Sequence, residues 1–275
     1  MKLSDIKQSK KINPLYCLER KNNLKQLIVF SIVAAVLTLI TTLMFLLVDD
    51  MLKMLQEMFK DNQELYDQLG SAMSAATLPG YFVANAGSIW GLIGVVYAAY
   101  LGNKLINGNL KDNSFEMLYT LEYSRTKILM SKLLRLVINV VVFNIAVAIF
   151  GFIGVAIVGF DQVNYANYLL YVLTQIICCL QVGIISFGLT CLLTRKFGTI
   201  LSIVVACVFN FVSEMAITGA SYKFLEYLSP CFSSYAPILS NGLIGFNFIS
   251  LAIWTFVAAV AIFVGVKKFN KSDII

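Results

Sequence analysis

Three stretches of this chain carry no charged residue: Leu136 to Phe160, Gln162 to Thr194, and Tyr227 to Val266. Each exceeds the about 20 apolar residues that a helix needs to cross a bilayer core. Backbone polar groups find no water in lipid, so only helices or closed barrels satisfy them there. The apolar residues here run continuously instead of alternating, which excludes barrel strands. Composition agrees, with 59% hydrophobic and 13% charged residues, against about 45–50% apolar and about 25% charged in ordinary soluble domains. The expected fold is an all-α polytopic membrane protein.

Hydropathy and charge together place six transmembrane helices in one transmembrane domain, 1–275, with spans at 27–48, 81–103, 136–160, 168–194, 197–212 and 246–266. Asp49 and Asp50 close the first, Arg195 and Lys196 precede the fifth, and Lys267 and Lys268 close the last. Of the 21 Lys and Arg, 18 fall on alternate connections: the N-terminal segment, the loop 104–135, the turn before the fifth span and the C-terminal tail. The remaining loops hold Lys53, Lys60 and Lys223 together with nine of the 15 acids. Basic residues accumulate on the cytoplasmic side, so both termini are expected there, in a multi-pass protein of a bacterial plasma membrane.

Segments outside the spans carry their own patterns. The N-terminal segment 1–26 is too long and polar for a signal-peptide n-region, so the first span is expected to stay. Leu15, Tyr16, Leu18 and Leu24 alternate with basic residues just before that span, which predicts an amphipathic interfacial helix. Met51, Leu52, Met54, Leu55, Met58 and Phe59 recur at helical spacing beyond it, and the methionines read as packing residues. Between the last two spans, Met215 to Ile244 holds Pro230 and Pro237 and has room to re-enter the membrane. Irregular backbone persists at that depth only when protein or a cavity shields it.

Several chemistries are excluded. There is no histidine, hence neither the commonest metal ligand nor the commonest general base. The six cysteines lie mostly in apolar runs and read as small packing residues, not as a disulfide framework. No catalytic residue and no metal site are expected. No G-x-x-x-x-G-K-[ST] phosphate loop is present. Gradient-driven pumps generally carry ionisable residues at mid-membrane, and the middle of each predicted span has none. Energy for uphill transport must then enter through the cytoplasmic loops. Asn85, Asn144, Asn210 and Glu214 are the candidates for a polar substrate path, weighed against hydrogen bonding between helices. Gly87, Gly91, Gly94, Ala98 and Gly102 place small residues on the second span, as packing within one subunit or between two.

The loop 104–135 is the most informative segment. Its stretch from Asn113 to Leu133, NSFEMLYTLEYSRTKILMSKL, reads as two short helices joined near Tyr123 and Ser124. It resembles the loop of type-2 ABC exporter membrane subunits, where the pattern G-T-x-E-x-L-x-x-x-P-x-S-R precedes an apolar stretch and a lysine. Ser114, Glu116, Leu118, Ser124, Arg125, Ile128 and Lys132 match, whereas Asn113 replaces the glycine and Glu122 the proline. The closing Phe269-Asn270-Lys271-Ser272-Asp273-Ile274 is similar to that family's ending. The resemblance implies an exporter permease whose loop is a coupling helix docking on a separate ABC ATPase. Ser114, Glu116, Leu118, Ser124, Arg125 and Lys132 would carry the coupling. Two permeases, identical or paralogous, would join two copies of the ATPase, which alone binds ATP and magnesium. Exporters of small amphipathic peptides, including the phenol-soluble-modulin and bacteriocin-type groups, share the compact six-span form. A hydrophobic or amphipathic substrate is therefore expected, with membrane lipid but no nucleic acid as a further partner. The competing readings are a membrane sensor or immunity subunit, or a channel.

Overall fold

A computed structural model describes residues 14–59, 77–111, 124–159, 162–193, 198–218, 224–225, 227–230, 239, 242–243 and 246–271. The described residues form helices: α1 (Pro14–Leu43), α2 (Phe45–Phe59), α3 (Leu78–Tyr81), a π-helical stretch (Phe82–Gly87), α4 (Ser88–Lys111), α5 (Arg125–Gly159), α6 (Tyr165–Leu193), α7 (Thr199–Thr218) and α8 (Phe248–Lys271). No strand occurs among them.

Local chemistry sets where the helices begin. Thr77 caps α3 by accepting from the Gly80 amide at 3.3 Å, with Pro79 in the first turn. Ser124 caps α5, its Oγ accepting from the Lys127 amide at 3.3 Å. Asn164 Oδ1 accepts from the Ala166 amide at 2.9 Å before α6, and Asn247 Oδ1 accepts from the Ser250 amide at 3.0 Å before α8. Each cap satisfies a donor that the first turn otherwise leaves unpaired.

Five helical stretches are long and apolar enough to cross a membrane: Asn23–Leu43, Leu78–Gly108, Arg125–Gly159, Tyr165–Leu193 and Phe248–Asn270. The fifth expected span, 197–212, corresponds to the shorter apolar stretch Thr199–Met215 of α7. The helices alternate in direction. Gln26 of α1, Lys104 of α4, Thr126 of α5 and Asn270 of α8 mark one end of the bundle, the basic end, through the pairs Lys104–Gln26 and Asn270–Thr126. Asp49, Asp50 and Glu214 lie toward the other, acidic end. There Lys53 Nζ meets Asp49 at 2.5 Å on the exposed surface, and that carboxylate raises the lysine's pKa through the hydrogen bond and its charge.

Helices α4 and α6 form the centre. Their contact is close because glycines line it: a Cβ on Gly94 would come within 2.8 Å of Cys179 Sγ, and one on Gly102 within 2.5 Å of the Gly183 carbonyl oxygen. The small-residue stripe of the second span therefore serves packing inside the subunit. On the far side of α6, Gly188 and Gly265 let α8 approach in the same way. Gly151 and Gly154 of α5 accept Thr38 and Thr42 of α1. Aromatic side chains fill the core between these seams, with Phe82, Trp90, Tyr97, Phe143 and Tyr171 fully buried.

Three sequence expectations are corrected. The basic N-terminal segment does not form a separate interfacial helix from Pro14 onward; α1 continues without a break from Pro14 to Leu43. The second of the two short helices expected in Asn113–Leu133 is the first part of α5, which begins at Arg125 and is continuous with the span, whereas the first falls on 112–123, outside the described residues. Met51 and Met54 of α2 do not pack inside the chain: they are 58% and 65% exposed. Part of the proposed re-entrant stretch is described, and it lies deep. Cys178 Sγ, about 20 Å along α6, donates to the Pro230 carbonyl at 2.8 Å. Ser229 Oγ donates to the Phe209 carbonyl at 2.6 Å, and Trp254 Nε1 to the Tyr227 carbonyl at 3.1 Å.

Candidate functional site

A groove opens on the surface of the bundle where α1, α4 and α7 meet. Val29, Phe30 and Val33 come from α1, Leu92, Ile93 and Val96 from α4, and Ile203 and Cys207 from α7; the volume is about 410 Å³. That lies within the range of about 300–1,000 Å³ common for small-ligand sites. Helical register extends its walls toward the acidic end. Ser88, Leu92 and Val96 are spaced i, i+4 and i+8, so they share one face of α4. Ile203, Cys207 and Glu214 are spaced i, i+4 and i+11, so they align on α7. Ser88 and Glu214 form a polar head beyond the groove's lining, about 6 Å and about 10 Å along their helices from Leu92 and Cys207. The two meet there, with the Ser88 hydroxyl donating to Glu214 Oε1. Both side chains are half-buried.

The backbone behind this head is unusual. Phe82–Gly87 is wound as a π-helix, a form that is rare and recurs at functional sites. Gly87 is its last residue, and a Cβ there would collide with the Tyr171 hydroxyl at 2.2 Å. Tyr171 is thereby drawn against the α4 backbone, where it accepts from Gln175 Nε2 at 3.0 Å. Its ring meets Phe82 and Trp90 edge-on, at centroid distances of 6.0 and 5.7 Å.

The four sequence candidates for a substrate path separate in space. Glu214 lies beyond the groove's lining, where it accepts from the Ser88 hydroxyl. Asn85 belongs to the π-helical stretch and donates to the Tyr81 carbonyl at 3.2 Å, within its own helix run. Asn144 is fully buried in the core: its Oδ1 accepts from Trp90 Nε1 at 3.0 Å, and its Nδ2 donates to the Val140 carbonyl at 2.9 Å. Asn210 is 5% exposed. The groove's members, such as Leu92, Val96 and Cys207, were not anticipated. The i, i+4 spacing of Leu92 with Val96 is legible in the sequence, but nothing local says which helix stands opposite.

A second polar region lies toward the basic end. Asn103 Nδ2 donates to Thr190 Oγ1 at 3.0 Å, while its Oδ1 accepts from Thr199 Oγ1 at 2.9 Å and from Asn107 Nδ2 at 3.3 Å. One asparagine thus ties α4 to α6 and α7. Lys132 of α5, 1% exposed, donates from Nζ to the Leu105 carbonyl at 2.6 Å and so clips α5 to α4. Of the expected coupling residues, Ser124 and Arg125 stand at the start of α5, Ser124 exposed and Arg125 half-buried. Lys132 is turned inward. Ser114, Glu116 and Leu118 lie outside the described residues. Among those residues, no group of His, Cys, Asp or Glu is placed to hold a metal ion.

A multi-pass helical bundle, with an open apolar groove and long helices flanking its basic loop, has the form of a membrane transport subunit. The chain matches the family described as ABC-2 family transporter protein over residues 19–274, and it belongs to that family. No curated protein and no solved structure matches it. Family membership makes it a permease subunit of an ABC transporter and implies an ATPase partner.

Proposed function

We propose that this permease exports a hydrophobic or amphipathic substrate, such as a small peptide, from the cell. The basic end faces the cytoplasm, in keeping with the distribution of Lys and Arg. Two copies, or one copy and a paralogue, join two ATPase subunits that bind ATP and magnesium. This chain catalyses no reaction itself. The ATPase engages the segment 104–135, and α5, which starts at Arg125 and runs unbroken to Gly159, carries its motion across the membrane. The lateral, apolar, ligand-sized recesses support this reading more than any other single feature: one of about 410 Å³ between α1, α4 and α7, and one of about 500 Å³ between α5 and α6, lined by residues such as Ile149, Phe152 and Leu169.

Affinity purification of the chain in mild detergent, with mass spectrometry of the co-purifying proteins, tests the proposal. A stoichiometric ATPase carrying a phosphate loop is the expected result. Its absence under all nucleotide conditions would leave a channel or a sensor, and the coupling role of 104–135 would fall with it.

A further inference from the structure

We propose that α2 is seated in the membrane surface at the acidic end of the bundle, where its exposed leucine and methionines take up phospholipid acyl chains. Helical register divides Phe45–Phe59 into three faces. Phe45 and Leu52, at i and i+7, turn toward the protein. Phe45 is buried and meets the Tyr81 ring edge-on at a centroid distance of 5.1 Å, and Leu52 packs on the core. Asp49, Lys53 and Glu57, at i, i+4 and i+8, form a charged face, with Lys53 and Asp49 paired and Glu57 exposed. Leu47, Met51 and Met54, at i, i+4 and i+7, form the third face. It is apolar and open, with Leu47 82% exposed. A helix with a protein face, a charged face and an exposed apolar face fits the line where protein, water and lipid meet.

Two observations name lipid as the cover. First, the third face continues a line that begins on α1. Val36, Ile40, Met44, Leu47, Met51 and Met54 fall at i, i+4, i+8, i+11, i+15 and i+18 and are all exposed, so one stripe runs for about five turns. Val36 and Ile40 belong to the membrane-crossing stretch Asn23–Leu43, where an exposed apolar side chain faces acyl chains. The stripe passes the junction of α1 and α2 without a gap: the Met44 amide donates to the Ile40 carbonyl at 3.0 Å, and the Leu47 amide to the Met44 carbonyl at 3.0 Å. Second, α2 does not leave the bundle. Leu52 still packs on the core about 10 Å along the helix from Phe45, so the stripe stays beside the lipid that covers α1. Charge argues against a second copy as the cover. Asp50 and Glu57 flank the stripe, and Lys53 is held by Asp49. Two like stripes laid together would bring these acids toward one another. The flexible thioether of methionine suits a cover of disordered acyl chains. Seated in this way, α2 fixes the level at which α1 leaves the bilayer.

The methionines report on their own cover. The experiment uses the full chain in phospholipid nanodiscs with a polar, membrane-impermeant oxidant, chloramine-T, and reads sulfoxide formation at each methionine by peptide mass spectrometry. Lys53→Met supplies the reference, a methionine on the charged face of the same helix, and removes only an exposed ion pair of small worth. Met51 and Met54 should oxidise about tenfold more slowly than the introduced methionine, although the chain itself leaves both exposed. A phosphatidylcholine carrying a diazirine in its acyl chain should, on illumination, label the segment that holds Met51 and Met54. Oxidation of these two at the rate of the introduced methionine would place α2 in water and overturn the inference. Protection without lipid labelling, or protection lost in discs that hold a single chain, would assign the stripe to another protein surface and equally overturn it. Neither readout needs an ATPase or a substrate, so the result stands apart from the fate of the permease reading.

Discussion

At the scale of single residues, polar side chains in an apolar bundle divide by what they touch. Asn144 binds at both ends of its amide, to Trp90 at 3.0 Å and to Val140 at 2.9 Å, with no exposed surface. Trp90→Phe should therefore leave the Asn144 oxygen only the weak Cys179 thiol donor at 3.9 Å and lower stability by about 1 kcal/mol, seen as an earlier thermal transition in detergent. Asn85→Ala should leave that transition in place, since the Asn85 amide reaches only along its own helix to Tyr81. An unchanged transition for Trp90→Phe would mean that the pair is not holding α4 to α5. Sequence named Asn144 and Glu214 as equal candidates because it reports residue type and approximate depth. It does not report whether a tryptophan or a serine stands opposite. The partner decides the role, and the partner lies 54 positions away in one case and 126 in the other.

At the scale of elements, the all-helical class and the apolar segments were legible because lipid imposes one solution on an uncharged run. The helix ends were less so. Hydropathy stops a span at its first cations, yet α4 continues past Lys104 to Lys111 and α5 begins ten residues before Arg135. Lys132 and Arg135 are buried, and Lys132 has a backbone carbonyl for its ammonium, so these charges do not end the helix. What sets the separation of the elements is the absence of side chains at their crossings. Gly102→Val should force α4 away from α6, since even a Cβ would lie 2.5 Å from a backbone oxygen. Gly188→Val should do the same to α6 and α8, where the Ala261 carbonyl stands 2.5 Å from the added atom. Both should reduce the yield of folded protein in size-exclusion chromatography. Gly108→Ala is the contrasting case. Its nearest neighbour is a flexible Lys104 methylene at 3.5 Å, and helix propensity favours alanine by about 1 kcal/mol, so the folded yield should hold or rise.

At the scale of the whole molecule, the groove has no local signature because three helices distant in sequence build it. The path from the basic loop to the opposite end, by contrast, is one element. Its 35 residues span about 52 Å at 1.5 Å per residue, against about 30 Å of hydrocarbon. Helix α5 therefore projects well beyond the lipid core at its basic end, where Ser124 caps it and Asn270 of α8 reaches Thr126 at 3.0 Å. A rigid rod that leaves the membrane beside the loop transmits displacement only while rod and loop are continuous. Two glycines inserted between Ser124 and Arg125 should break that continuity without touching any apolar span. The altered chain should fold, bring down its ATPase partner as before, and lose substrate-stimulated ATP hydrolysis in proteoliposomes down to the basal rate. Reversing the charge in Arg125→Glu or in Glu116→Lys should act on the proposed docking surface, uncoupling transport while the thermal transition stays in place. Transport persisting in the glycine insertion would show that motion enters the bundle elsewhere. The junction of α4 with the same loop at Lys111 would then be the next place to cut.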